Sequence, residues 1–187
     1  MRIISGKFKG KSIDYLKSKI TRPLKDTVKE NIFNILNHSN LIRDINIQRS
    51  NVLDLYSGVG SFGLECISRG ANQVTFIEED VNAIKVLKSN LKKLSSSNNA
   101  KVVNDKIENF LKNIKINEYN ICFCDPPFTD KMFIKNLKYL KDNKVFSSKH
   151  VLIIHREKNS KDDLTNYFNT LILRIYGRSK ILFGTLK

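Results

Sequence analysis

The sequence predicts a mostly parallel, doubly wound α/β sheet that closes on an antiparallel C-terminal hairpin and is preceded by a small basic extension. Three observations carry this prediction. From residue 51 onward, short apolar runs alternate with segments whose apolar residues recur at helical spacing, the pattern of successive β-α units with right-handed crossovers. The last two apolar runs, TLILRIYG and SKILFGTLK, meet across Gly177-Arg178 with no space for a helix between them. Ahead of the alternation lies a stretch with its own turn glycines and a high density of lysine. The extension is predicted over residues 1–45 and the sheet domain over 46–187.

Taken in order, RIIS and KSIDYL flank GKFKG, so residues 2–16 read as a β-hairpin with Gly6 and Gly10 bracketing a basic turn. Asp26 or Thr27 is the expected cap of a helix whose Val28, Ile32, Ile35 and Leu36 share one face, ending near residues 37–40. Strands are expected at NVLDLY, QVTFIE, AKVVN, YNICFC and HVLIIH. Helices are expected between them, near 61–69, 81–95, 106–114 and 130–141, with another around 161–168 before the terminal hairpin. SSSNN at 95–99 is a loop, and no internal repeat is visible.

The 187 residues, 41% of them apolar, suffice for one domain with a full core. No apolar stretch approaches the roughly 20 residues of a membrane span, and MRIISGKFKGK lacks the apolar centre and cleavage site of a secretory signal. A cytoplasmic protein is expected. Cys66, Cys122 and Cys124 fit that compartment as reduced packing residues, and no further ligand stands at metal-site spacing beside the latter two, so no metal is expected. The 33 Lys+Arg against 18 Asp+Glu leave a net charge of +15, which favours a polyanionic partner, most simply nucleic acid.

Two stretches carry chemistry. In VLDLYSGVGSFGLE, Gly58, Gly60 and Gly63 follow a strand and precede a helix, and Glu78 closes the next strand. Small residues there let the backbone approach a nucleotide, and the second acid can accept from ribose hydroxyls. Asp54 inside the strand end, with Tyr56 and Ser57 lengthening the turn, would repel a pyrophosphate but suits a ligand carrying an ammonium and a sulfonium. S-adenosylmethionine is such a ligand. Asp105, or the backbone of Lys106 and Ile107, is placed to meet its adenine; Asp105 as a helix cap is the other reading.

The second stretch is Asp125-Pro126-Pro127-Phe128, at the end of an apolar strand. The prolines fix φ and carry no N–H, so the turn is stiff and presents acceptors only. Asp125 and the Pro126 carbonyl could both receive hydrogen bonds from one –NH₂ group while Phe128 offers a face for a planar substrate. An exocyclic amine is a poor nucleophile because its lone pair is delocalised. Acceptors that position it and strengthen as charge develops on nitrogen favour methyl transfer.

Together these residues resemble the class I S-adenosylmethionine-dependent methyltransferases that modify amino nitrogens. More narrowly, RIISGKFKGK, RPLKDTVKENIFNIL, VLDLYSGVGSFGLECISRGA, FIEED and DPPF are similar to the bacterial family that methylates N2 of a guanine in 16S ribosomal RNA. The resemblance runs over nearly the whole chain and implies a Rossmann-like sheet of seven strands. It implies cofactor contacts on Asp54, the Gly58–Gly63 loop and Glu78, with Glu79 beside it, and catalysis on Asp125, Pro126, Pro127 and Phe128. The family's Arg-Pro-Thr segment and the Asp that follows it correspond here to Arg22, Pro23, Leu24 and Asp26, with Leu24 in place of the hydroxyl residue. It also implies a partner, 16S RNA within a small subunit or its assembly intermediate, met by a monomer. Arg2, Lys7, Lys9, Lys11, Lys17, Lys19, Arg22 and Lys25, with Asp26, concentrate the RNA-contacting candidates in the extension. Three other readings stay open: adenine-N6 methylation, a non-catalytic RNA-binding module, and a nicotinamide oxidoreductase, which would have no use for DPPF.

Overall fold

The computed structural model describes residues 1–16, 24–114, 118–127, 129–130 and 132–187. Its centre is a seven-stranded sheet in the order β3-β2-β1-β4-β5-β7-β6, made of β1 (Asn51–Leu55), β2 (Gln73–Glu78), β3 (Ala100–Asn104), β4 (Tyr119–Cys124), β5 (Phe146–Glu157), β6 (Phe168–Tyr176) and β7 (Ser179–Leu186). The strands β1 to β5 pair in parallel, and β7 runs antiparallel to both its neighbours. The fold is therefore the expected Rossmann-like one with an antiparallel end. The chain leaves β1 towards β2 on one side and returns to β4 on the other. This reversal opens a crevice at the carboxyl ends of β1 and β4, the place where open α/β sheets take ligands.

The intervening helices are α1 (Asp26–His38), α2 (Ser61–Ser68), α3 (Val81–Lys93), α4 (Ile107–Lys112) and α5 (Phe133–Asp142). Two apolar layers flank the sheet. One holds a stack of Phe33, Phe62 and Phe123, with ring centroids 5.2 and 4.3 Å apart, and it also buries Ile3, Phe8 and Ile13 of the extension. The other packs Leu53, Cys122, Cys124, Phe133 and Leu137, so the two strand cysteines are indeed core residues. Burial pushes all three thiols up well above their ordinary range, which keeps them neutral. No described helix is long and apolar enough to cross a membrane.

Several boundaries differ from expectation. The N-terminal hairpin reduces to one antiparallel bridge, Arg2 with Ser12. Ile3, Gly10 and Ile13 still donate across it, to Lys11, Ile3 and Met1 at 2.9, 2.9 and 3.0 Å, but Ile4 and Ser5 donate to the Glu65 carboxylate at 2.8 and 3.0 Å, and Phe8 donates to Ser68 Oγ at 3.0 Å. Lys25 rather than Asp26 or Thr27 caps α1, with no side-chain bond, and Asp26 sits in the first turn where a negative charge suits the helix dipole. The helix expected at 161–168 does not form. Asp163 instead takes the Thr165 amide and hydroxyl at 3.0 and 2.6 Å, Asp162 is drawn to Arg156, and β6 begins at Phe168. The start of α5 moves from 130 to Phe133 because Asp130 Oδ1 accepts the Met132 amide.

Candidate active site

Two turns face the crevice. The first follows β1, where Tyr56, Gly58 and Gly60 adopt φ of 58°, 53° and 86°, a reversal that turns backbone amides inward. Carboxylates collect those amides. Asp54, 1% exposed, accepts from Gly63 at 2.9 Å, and Glu78 accepts from Gly58 at 2.7 Å with one oxygen and from Glu79 and Asp80 with the other. Burial pushes the Asp54 carboxyl well above the usual range; the Gly63 N–H opposes this, and the negative charges of Asp125 and Glu78 add to it. Three acids thus lie close enough at one sheet edge to feel one another's charge, and a cation bound there would favour the ionised form of Asp54.

The glycines divide their work. A Cβ on Gly60 would lie 2.4 Å from Leu87 Cδ1, and one on Gly63 would lie 2.3 Å from the Phe76 ring, so these two serve the packing of α2 and α3 on the sheet. A Cβ on Gly58 would meet nothing within 4 Å. Gly58 is the open position, the one whose backbone a ligand can approach. Beside it, Ser57 is buried and its hydroxyl has no hydrogen-bond partner among the described residues. An orphaned hydroxyl, an open glycine and a carboxylate pair fit the polar, cationic ligand that the sequence suggested.

The second turn follows β4. Pro126 is buried and Pro127 exposed. Their carbonyls face the guanidinium of Arg156, whose Nη1 donates to Pro127 at 3.1 Å and makes a longer 3.4 Å contact with Pro126. The Pro127 carbonyl also accepts from the Asp130 amide at 2.9 Å. Arg156 is 2% exposed, binds both Asp162 oxygens at 2.8 and 3.2 Å, and lies 5.0 Å over the Phe133 ring. Asp125 meets His155 of β5, whose Nδ1 lies 2.8 Å from Oδ1. Sequence reasoning missed Arg156 and His155, which stand in a strand far along the chain. Phe128 lies outside the described residues.

A polar chain joins the turns. Tyr56 donates to Asp130 at 2.6 Å, and Asn136 donates to the Tyr56 hydroxyl at 3.2 Å and to Glu108 at 3.1 Å. Burial is the first cause raising the tyrosine pKa, with the Asp130 bond and charge adding to it, so the hydroxyl remains a donor. On the far side, Asp105 accepts its neighbour's amide, Lys106 N, at 2.7 Å and the Asn109 amide group at 2.9 Å, which braces the start of α4. Lys106 is exposed at that start, and Ile107 is buried in the core. Glu79 is exposed beside Glu78.

The extension docks on the same domain through buried polar groups. Glu65 and Lys29 are both 0% exposed, 3.8 Å apart, and Lys29 also donates to the Arg2 carbonyl at 2.8 Å. Burial lowers the Lys29 pKa, and the charges of Glu65 and Asp26 act against that. Asn90 exchanges two bonds with the Asp14 backbone and donates to the Val59 carbonyl of the glycine turn at 3.3 Å. Arg2, Lys7, Lys9, Lys11 and Lys25 are exposed, and the Lys7 and Lys11 ammoniums lie 5.5 and 5.3 Å from the Phe8 ring. Asp26 faces Lys29 at 3.7 Å, so it is engaged within the fold. Lys17, Lys19, Arg22 and Pro23 lie outside the described residues.

The family model described as Conserved hypothetical protein 95 matches residues 1–185. This chain belongs to that family. A Haemophilus influenzae relative, named Ribosomal RNA small subunit methyltransferase D, is 34% identical over 161 residues, 85% of this chain and 80% of its own, which bears out the resemblance read from the sequence. The solved Escherichia coli chain yhhF shares the fold with a TM-score of 0.84 at 28% identity, covering 100% of this chain and 98% of its own. The structure of a Salinibacter ruber RNA methyltransferase in complex with S-adenosyl-L-homocysteine has a TM-score of 0.64 at 14% identity over 88% of this chain and 93% of its own, a likeness of fold alone.

Proposed function

We propose that this chain transfers a methyl group from S-adenosylmethionine to the exocyclic N2 amine of a guanine in 16S ribosomal RNA. The observation that carries this reading is the proline turn, a stiff row of acceptors held at the sheet's switch point opposite a turn of donors. Asp125 and the second lone pair of the Pro126 carbonyl are the groups offered to an incoming –NH₂. They would hold its hydrogens so that the nitrogen lone pair points at the methyl carbon, and bind more tightly as positive charge grows. We assign base stacking to Phe128.

At the first turn, the acids Asp54 and Glu78 suit the positive charges of the methyl donor, and Glu78 is the acceptor assigned to its ribose hydroxyls. Tyr56, Ser57, Gly58, Gly60 and Gly63 shape that pocket, and the segment from Asp105 to Ile107, near Glu79, borders its adenine end. The name of the Haemophilus relative supports an RNA of the small subunit as substrate, and the net charge of +15 supports a polyanion. We assign phosphate contacts to the lysines of residues 1–45 and a monomeric, cytoplasmic life to the protein, acting on ribosomal RNA or an assembling subunit.

Incubation with tritiated methyl donor and small subunits or their RNA, followed by nucleoside analysis, tests the reading. N2-methylguanosine is the expected product. Label in N6-methyladenosine, or none in RNA, would overturn it.

A further inference from the structure

We propose that His155 is the positioning partner of Asp125 and stores, through that carboxylate, the proton which methylation of the amine releases. The inference rests on the amine-methylation reading above and extends it to a residue outside the proline turn. His155 Nδ1 stands 2.8 Å from Asp125 Oδ1, and the two side chains are only 12% and 24% exposed. β5 therefore serves the turn with consecutive residues, Arg156 gripping its carbonyls and His155 its carboxylate.

The surroundings favour a shared proton. Burial by itself lowers the imidazole pKa, but the hydrogen bond and charge of Asp125 outweigh it, and Arg156 opposes them weakly enough that the net direction is upward from 6.5. Among the described residues, the charged groups that act on the imidazole are Asp125 from the turn after β4 and Arg156 on the same strand, the latter paired with Asp162. Across the ladder, β7 presents Ile181, which does not titrate. On β4 the residue before Asp125 is Cys124, a thiol held neutral by burial. Asp54 lies near enough to Asp125 to feel its charge.

The proton balance then follows. As the N2–CH₃ bond forms, the S–CH₃ bond breaks and its electron pair stays on sulfur, which becomes a neutral thioether. The nitrogen carries the positive charge and one hydrogen too many. That proton leaves to the Asp125–His155 pair, which becomes carboxylate and imidazolium and later returns the proton to solvent. A pair already protonated cannot accept, so the rate must rise with pH through the His155 titration.

The chain has three histidines, so each imidazole can be followed by NMR, with His38→Asn for assignment. In the wild type the His155 midpoint should lie above that of an ordinary imidazole, and Asp125→Asn, which removes the carboxylate that raises it, should lower it. In methyl transfer, His155→Gln should lower kcat roughly tenfold with KM for the methyl donor unchanged, and should remove the acid limb of the pH profile. An identical histidine titration in Asp125→Asn, or pH profiles that superimpose for wild type and His155→Gln, would overturn the role of His155 even where N2-methylguanosine is made. A coupled titration in a protein that methylates no RNA amine would instead overturn the functional reading, and the proton-storing role with it.

Discussion

The turn after β1 and the turn after β4 occupy the same sheet edge and are built by opposite means. The first bends through left-handed backbone and ties its N–H groups to the carboxylates of buried Asp54 and half-buried Glu78. The second is stiffened by two prolines, exposes carbonyls and ties them to the buried guanidinium of Arg156. A crevice with donors and acids on one wall and acceptors on the other can hold a cationic methyl donor against an amine, and neither wall alone can do both.

The sharpest way to break this contrast is to remove the cation behind the acceptors. Arg156→Ala would remove the guanidinium that Asp162 and the two proline carbonyls share, leaving Pro127 only its Asp130 amide, and should cost roughly 3–5 kcal/mol in chemical denaturation together with most methyl transfer. Arg156→Lys should recover part of the stability and little of the activity, since an ammonium cannot grip Asp162 with two parallel bonds while reaching both carbonyls. On the donor wall, Glu78→Ala should weaken binding of S-adenosylmethionine by about 1.5–3 kcal/mol in calorimetry, with a smaller effect on folding.

The two walls also differ in how far the sequence announced them. The glycine turn and its acids are legible because they lie within one β-α-β unit, where spacing fixes geometry. The proline turn announced itself through Asp125-Pro126-Pro127, but its supports, His155 and Arg156, reach it across the sheet from β5, and no local spacing encodes such pairings. The same limit hid Glu65 and Ser68, whose long-range bonds take the Ile4, Ser5 and Phe8 donors of the expected hairpin, and Asp162, whose recruitment removes the expected helix. Apart from the helix expected at 161–168, the order of strands and helices was read correctly from the sequence, because it depends on patterns a few residues long.

Smaller substitutions sharpen the division within the glycine turn. Gly63→Ala should destabilise the fold by about 1–3 kcal/mol, because its methyl meets the Phe76 ring, and should weaken cofactor binding only through that loss. Gly58→Ala meets no neighbour and carries only the backbone cost of φ 53°, about 1–2 kcal/mol, yet should impair binding of the methyl donor more than Gly63→Ala does. Thermal shift with and without ligand separates the two. Charge reversal of Lys7, Lys9 and Lys11 together should leave stability and cofactor affinity unchanged and flatten the log–log salt dependence of RNA binding. An unaltered slope would mean that these lysines meet no phosphate.

The central claim, that one wall binds the methyl donor and the other acts on the amine, is tested most directly by Asp125→Ala. Cofactor affinity by calorimetry and methyl transfer to small-subunit RNA should be measured on the same preparation. The account predicts affinity within about twofold of wild type and a turnover lower by roughly 10²–10³-fold. Near-wild-type turnover in that variant, with guanine N2 still the methylated atom, would contradict it.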